Sequence, residues 1–171
     1  MQIRFWKREE RRGPEIASVE DIVGRLQFIR MKLSTRLRDM ESRYKELFEQ
    51  VVKAHMEKDK AKAAMYAEEL AELRKMLRKL THASLLLEGV IYRLEAVGDL
   101  KNAAAVMGPL RDVLGAASDE VSGIAPNVSD KLRELINSVE EFSINIGYVP
   151  SSGNVSPELS EEAKKILEEA S

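Results

Sequence analysis

The stretch HMEKDKAKAA, residues 55–64, carries six charged or titratable side chains and separates two long apolar series. Upstream, Val19, Ile22, Leu26, Ile29, Leu33, Leu37, Met40, Tyr44, Leu47, Val51 and Ala54 step by threes and fours. That spacing lines one face of an α-helix from about Ile16 to Met56. Downstream, Tyr66, Leu70, Leu73, Leu77, Leu80, Ser84, Leu87, Ile91 and Leu94 alternate steps of four and three, a heptad stripe. The charged stretch between them reads as a turn at about Lys58 to Lys60, with Asp59 able to cap the second helix. A continuous helix through it is the alternative, because no glycine marks the turn.

Neither Gly nor Pro occurs between Gly24 and Gly89, so nothing breaks either helix. At about 1.5 Å per residue the first would be roughly 60 Å long. Met76, Ala83, Leu86, Val90 and Val97 form a row beside the second stripe, which predicts that this helix meets more than one neighbour. Two facing stripes across one short turn predict an elongated antiparallel hairpin rather than a compact four-helix bundle. The fold class is all-α, a long helical hairpin followed by shorter helices.

Beyond the hairpin the chain is punctuated. Gly98-Asp99 reads as a helix stop and an N-cap, and DLKNAAAVMGPLRDVLGAAS as a shorter helix kinked or restarted at Gly108-Pro109. Ile124-Ala125-Pro126 opens another segment, with Ser129 as its cap and Leu132, Leu135, Ile136 and Val139 as its stripe, ending near Phe142. NIGYVPSSGNVSP has linker composition. PELSEEAKKILEEA is an acidic amphipathic helix with Pro157 near its first turn and Leu159, Ala163, Ile166, Leu167 and Ala170 on one face. The expected organisation is an N-terminal segment 1–14, a basic hairpin core 15–97, shorter acidic helices 98–146, a linker 147–156 and a terminal helix 157–171.

Composition excludes several functions. The chain has no cysteine, so disulfides, zinc-thiolate sites and thiol nucleophiles are ruled out. No run approaches the roughly 18–20 apolar residues of a membrane span, and SLLLEGVIY is interrupted by Glu88. No apolar stretch of the signal-peptide kind follows the first bases, so a cytoplasmic protein is expected. There is no phosphate-binding loop, dinucleotide fingerprint or His-Glu-x-x-His motif. His55 and His82 lack a glutamate three residues before them, as a di-metal bundle site would need. Glu68, Glu69 and Glu72 sit opposite the heptad stripe, where Lys75, Arg78 and Lys79 can pair with them as a solvated face. No catalytic residue, metal or cofactor is expected, and the chain reads as a non-enzyme.

Charge is unevenly placed: residues 1–45 are net +5, residues 46–98 are neutral and residues 99–171 are net −7. A basic front can meet an anionic surface, while the acidic back can meet a basic front of its own or a neighbouring chain. Arg25, Lys32, Arg36 and Arg43 are spaced to stack beside the apolar seam of the first helix, with Arg30 and Arg38 nearby. That stripe suits an anionic membrane, a nucleic-acid backbone or an acidic neighbour. At the N-terminus, Ile3, Arg4, Phe5, Trp6, Lys7, Arg8, Arg11 and Arg12 place two aromatic rings among five bases just before Gly13-Pro14. Rings at headgroup depth with bases on anionic lipid would use such a segment. Glu9 and Glu10 dilute its field and no second aromatic cluster follows, which disfavours stacking on nucleic acid.

A basic first helix without a breaker, a charged turn, then AHMEKDKAKAAMYAEELAELRKMLRKL, short acidic helices and a detached terminal helix resemble the ESCRT-III superfamily, closest to its archaeal cell-division (CdvB-like) branch. The resemblance covers roughly Ile16 to Phe142. It implies filaments of the chain and its paralogues on anionic membranes, remodelling or scission of the membrane at the division site, and disassembly by an AAA-family ATPase. By it, the segment from Ile3 to Arg12 corresponds to a membrane-inserting element and Arg25 to Arg43 to the basic first helix. Leu159, Ala163, Ile166 and Leu167 fall where members carry a terminal helix that docks on the hairpin or binds the ATPase. The chain ends at Ser171, before any winged-helix extension of the longest members, so a shorter paralogue is expected. The phage-shock and thylakoid coat family, and a nucleic-acid-binding helical adaptor, are the rival readings.

Overall fold

The computed structural model describes Ile16, residues 18–97, 100–145 and 161–170, and its described residues are helical with short turns. Among the described residues five helices follow in order: α1 (Val19–Met56), α2 (Lys60–Val97), α3 (Leu100–Val121), α4 (Pro126–Asn145) and α5 (Glu161–Ala170). Ser18 starts α1, its hydroxyl accepting the Asp21 N–H at 3.2 Å, and Glu20 and Asp21 place negative charge at the positive end of the helix dipole.

The turn lies one residue ahead of the predicted position and is closed by backbone bonds. The Asp59 N–H donates to the Ala54 carbonyl at 3.0 Å and the Lys58 N–H to that of His55 at 3.1 Å. Those two bonds make a Schellman C-cap, whose left-handed residue is Lys58 at φ 60°. Asp59 then caps α2, its carboxylate accepting the Lys62 N–H at 3.1 Å. One residue therefore serves both helices: its N–H ends α1 and its side chain starts α2. The continuous-helix alternative is overturned.

α1 and α2 are 38 residues each, about 57 Å. α3 and α4, of 22 and 20 residues, fold back on the hairpin, α3 against α2 and α4 against both α3 and α1. They cover its lower part, up to the α3–α4 turn beside Met40 and Arg43, so the described residues of 18–145 form a four-helix base and a two-helix tip. The expected all-α fold, a long hairpin followed by shorter helices, is what forms, and the shorter helices fold back to thicken its base. The cause is the second apolar row of α2: Ala83 and Val90 are buried and Leu86 packs on the core, a surface that needs α3.

Ile22, Leu26, Leu33, Leu80, Leu87, Leu94, Met107, Leu110, Leu114, Val121, Leu132 and Val139 are less than 2% exposed and fill the base. α3 runs continuously through Gly108-Pro109, so the predicted restart does not occur. Pro109 has no N–H for the carbonyl of Ala105, and Ala105 is exposed, where water can serve it. The predicted cap Ser129 is also corrected. α4 begins at Pro126, and the Ala125 carbonyl accepts the first N–H groups, those of Val128 and Ser129, both at 3.0 Å. Ser129 lies inside the helix, where its hydroxyl donates to the Ser118 carbonyl at 3.0 Å while the Ser118 hydroxyl reaches the Ser129 carbonyl at 3.2 Å. The two hydroxyls are 2.9 Å apart. This buried reciprocal pair fixes α3 against α4, since any slip would leave both hydroxyls unsatisfied in the core.

Candidate interaction surfaces

The side chains proposed for contact divide into three groups. Ile3, Arg4, Phe5, Trp6, Lys7, Arg8, Arg11 and Arg12 lie outside the described residues, as does Leu159. The terminal helix forms as α5, where Ile166 and Leu167 are 64% and 57% exposed. Of Ala163 only the helical backbone is described.

The six bases of α1 do not form one stripe. Arg25, Lys32, Arg36 and Arg43 share the edge that runs along the seam with α4 and the α3–α4 turn. Arg25 lines a groove with Lys131, Glu134 and Ser138 of α4. Lys32 and Arg36 line the next one with Ile124 to Val128. Arg36 and Arg43 border a third, of about 580 Å³, over Met40, Leu73, Met76 and Ile124, with Glu68, Glu69 and Glu72 opposite. Arg30 lies on the other flank, 3.5 Å from Glu88 of α2, and Arg38 faces solvent. The helical spacing of the four-residue set was readable in the sequence. The separation of Arg30 needed the position of α2.

Two features were not foreseen. Phe28, 47% exposed, holds Lys32 at 4.9 Å and Lys131 at 5.8 Å from its ring, so a cation of α4 reaches over an aromatic of α1. Phe48, Val52 and Met56, spaced by four, lie exposed on α1 near the tip. Their spacing is visible in the sequence, but the neighbouring row of Leu47 and Val51 already supplies a core face. Other polar contacts tie helices together. Glu120 of α3 binds His82 Nδ1 of α2, Arg111 of α3 lies 3.4 Å from Glu140 of α4, and Arg74 donates to the Tyr44 hydroxyl at 2.6 Å. Lys75 pairs with Glu72 at 3.1 Å, as the solvated-face reading expected.

Among the described residues no group of His, Asp and Glu gathers as a metal site, and no helix is long and apolar enough to cross a membrane. The described residues thus form an all-α hairpin with two shorter helices on its base, carrying exposed apolar and basic faces. Cell division protein B1 of Sulfolobus acidocaldarius is 39% identical to the chain over 140 residues, 82% of the chain and 65% of that protein. Cell division protein B of the same organism is 34% identical over 139 residues, 81% of the chain and 53% of that protein. The chain belongs to the archaeal CdvB-like family. It spans between half and two thirds of the length of these relatives. No family model and no solved structure matches it.

Proposed function

We propose that the chain is a cell-division subunit that assembles into filaments on the cytoplasmic face of an anionic membrane and takes part in remodelling or scission there. The observation that carries this reading is the 39% identity to a protein named for cell division across 82% of the chain. The subunit is not an enzyme; its work is contact. Arg4, Phe5, Trp6, Lys7, Arg8, Arg11 and Arg12 supply the membrane anchor, each base near an anionic surface contributing about 1 kcal/mol. A single segment of that size binds weakly, so the anchor depends on many copies side by side, which assembly provides as effective concentration. The edge of Arg25, Lys32, Arg36 and Arg43 adds to the contact or meets the acidic back of a neighbour. The apolar face of α5, with Ile166 and Leu167 exposed, is free to dock on a hairpin or to recruit a disassembly ATPase.

The test is negative-stain microscopy with and without anionic vesicles, alongside co-sedimentation on neutral and anionic lipid. Filaments and salt-sensitive binding to anionic vesicles are expected. Phe5→Ala/Trp6→Ala should lose most of the binding, and Trp6, the chain's one tryptophan, should shift its fluorescence to the blue on vesicles. Binding to oligonucleotides in place of vesicles, without filaments, would favour the adaptor reading.

A further inference from the structure

The apolar row at the tip is 52% exposed at Phe48, 42% at Val52 and 77% at Met56, and none of the three packs on the core. Beside it runs a second row with the same spacing of four, Lys45, Glu49, Lys53 and Glu57, alternating in sign and exposed throughout. Charges four apart on a helix are within reach of each other. Even so, among the described residues none of these four takes part in an ion pair.

We propose that this face is where two copies of the chain meet, antiparallel and related by a two-fold axis close to Val52. The inference rests on the self-assembly reading above and names the surface. A two-fold interface must be complementary to itself. Read against its own reverse, the charged row is: Lys45 meets Glu57 of the other copy, and Glu49 meets Lys53. The apolar row behaves the same way, Phe48 meeting Met56 while Val52 meets Val52. A parallel pairing, with its two-fold along the helices, would put the charged rows of the two copies on opposite sides of the contact and leave all four charges without a partner, so the charges select the antiparallel arrangement. Rows spaced by four are also the ridges that interdigitate in the commonest class of helix packing, in which the inner pair, Glu49 with Lys53, stays closer than the outer one. Three apolar side chains fall short of the roughly 800 Å² per partner of a stable interface. The contact is therefore weak between free chains and becomes populated where a surface or filament holds copies together.

The chain has no cysteine, so single cysteines report the pairing directly. Under mild oxidation of the full chain on anionic vesicles, Val52→Cys should form a disulfide dimer, since a bridge needs Cα atoms within about 7 Å. Phe48→Cys and Met56→Cys should each dimerise poorly alone and form a mixed dimer together. Adding Lys53→Glu should lower the Val52→Cys dimer yield roughly tenfold, because the two-fold repeats the new repulsion at two places. Adding Glu49→Lys as well should restore it, a rescue that a folding defect would not show. Circular dichroism of each variant confirms the helices. Dimers of Phe48→Cys and Met56→Cys as abundant as those of Val52→Cys would indicate parallel packing and overturn the proposal. So would a Val52→Cys/Leu167→Cys chain that closes on itself as a monomer, which would make α5 the occupant. If Lys53→Glu leaves cross-linking and filaments unchanged, the self-contact lies on another face and only this proposal fails. If the wild type forms neither dimers nor filaments, the self-assembly reading fails with it.

Discussion

Leu26, Ile29 and Leu33 of α1 are 0–3% exposed, whereas Tyr44, Leu47 and Val51, further along the same helix at the same spacing, are only half-buried. Their sequence pattern is alike and their surroundings differ. The first set lies in the base, where α2, α4 and, through them, α3 close around it. The second faces α2, with only the α3–α4 turn near Leu47 at its lower edge. A helix gains most of its stability from packed apolar surface rather than from its own propensity, so the base is the stable unit and the tip opens at lower free energy. The division also separates tasks: the base fixes four helices in register, and the tip offers Phe48, Val52 and Met56 to the outside.

The comparison is tested most strongly by truncating one leucine in each half. Leu87→Ala, at a site with no exposure in the base, should cost about 2–5 kcal/mol in urea unfolding. Leu70→Ala, half-buried in the tip, should cost only about 1 kcal/mol. Equal losses would mean that base and tip are one cooperative core. A smaller effect is expected from the serine pair. Ser118→Ala and Ser129→Ala should each cost about 1 kcal/mol, and the double variant less than their sum, because each hydroxyl is a partner of the other. Hydrogen exchange of these variants should speed up in α3 and α4 while the tip amides keep their wild-type rates. The smallest effect has the opposite sign. Lys58→Gly relieves a left-handed residue and should raise stability by up to about 1 kcal/mol, slowing exchange around the turn without changing that of the base. Unchanged exchange at the turn would show that the cap does not limit opening of the tip.

How much of this was legible can be traced through particular residues. The heptad stripe from Tyr66 to Leu94 and the cap at Asp59 were readable because a helix's periodicity and its end signals are properties of a few adjacent residues. The row of Ala83, Leu86 and Val90 announced a second neighbour for α2 without naming it. Ser129 was misread because a serine after a proline has the look of a cap, and only the arrival of Ser118 from α3 gives it a buried partner. The sequence sets Arg30 near the stripe that begins at Arg25, and only Glu88 of α2 beside Arg30 and the α4 groove beside Arg25 put the two on different flanks.

By itself, then, the sequence determined that the chain is helical, where its two longest helices turn, and which side chains each turns toward a neighbour, since these follow from a period of 3.6 residues and from local caps. Tertiary structure alone decided how far along those faces a neighbour extends. Helices of 22 and 20 residues cover about 33 and 30 Å of a hairpin about 57 Å long, and their folding back onto the base divides one continuous apolar seam into a closed core below and a half-open pair of helices above.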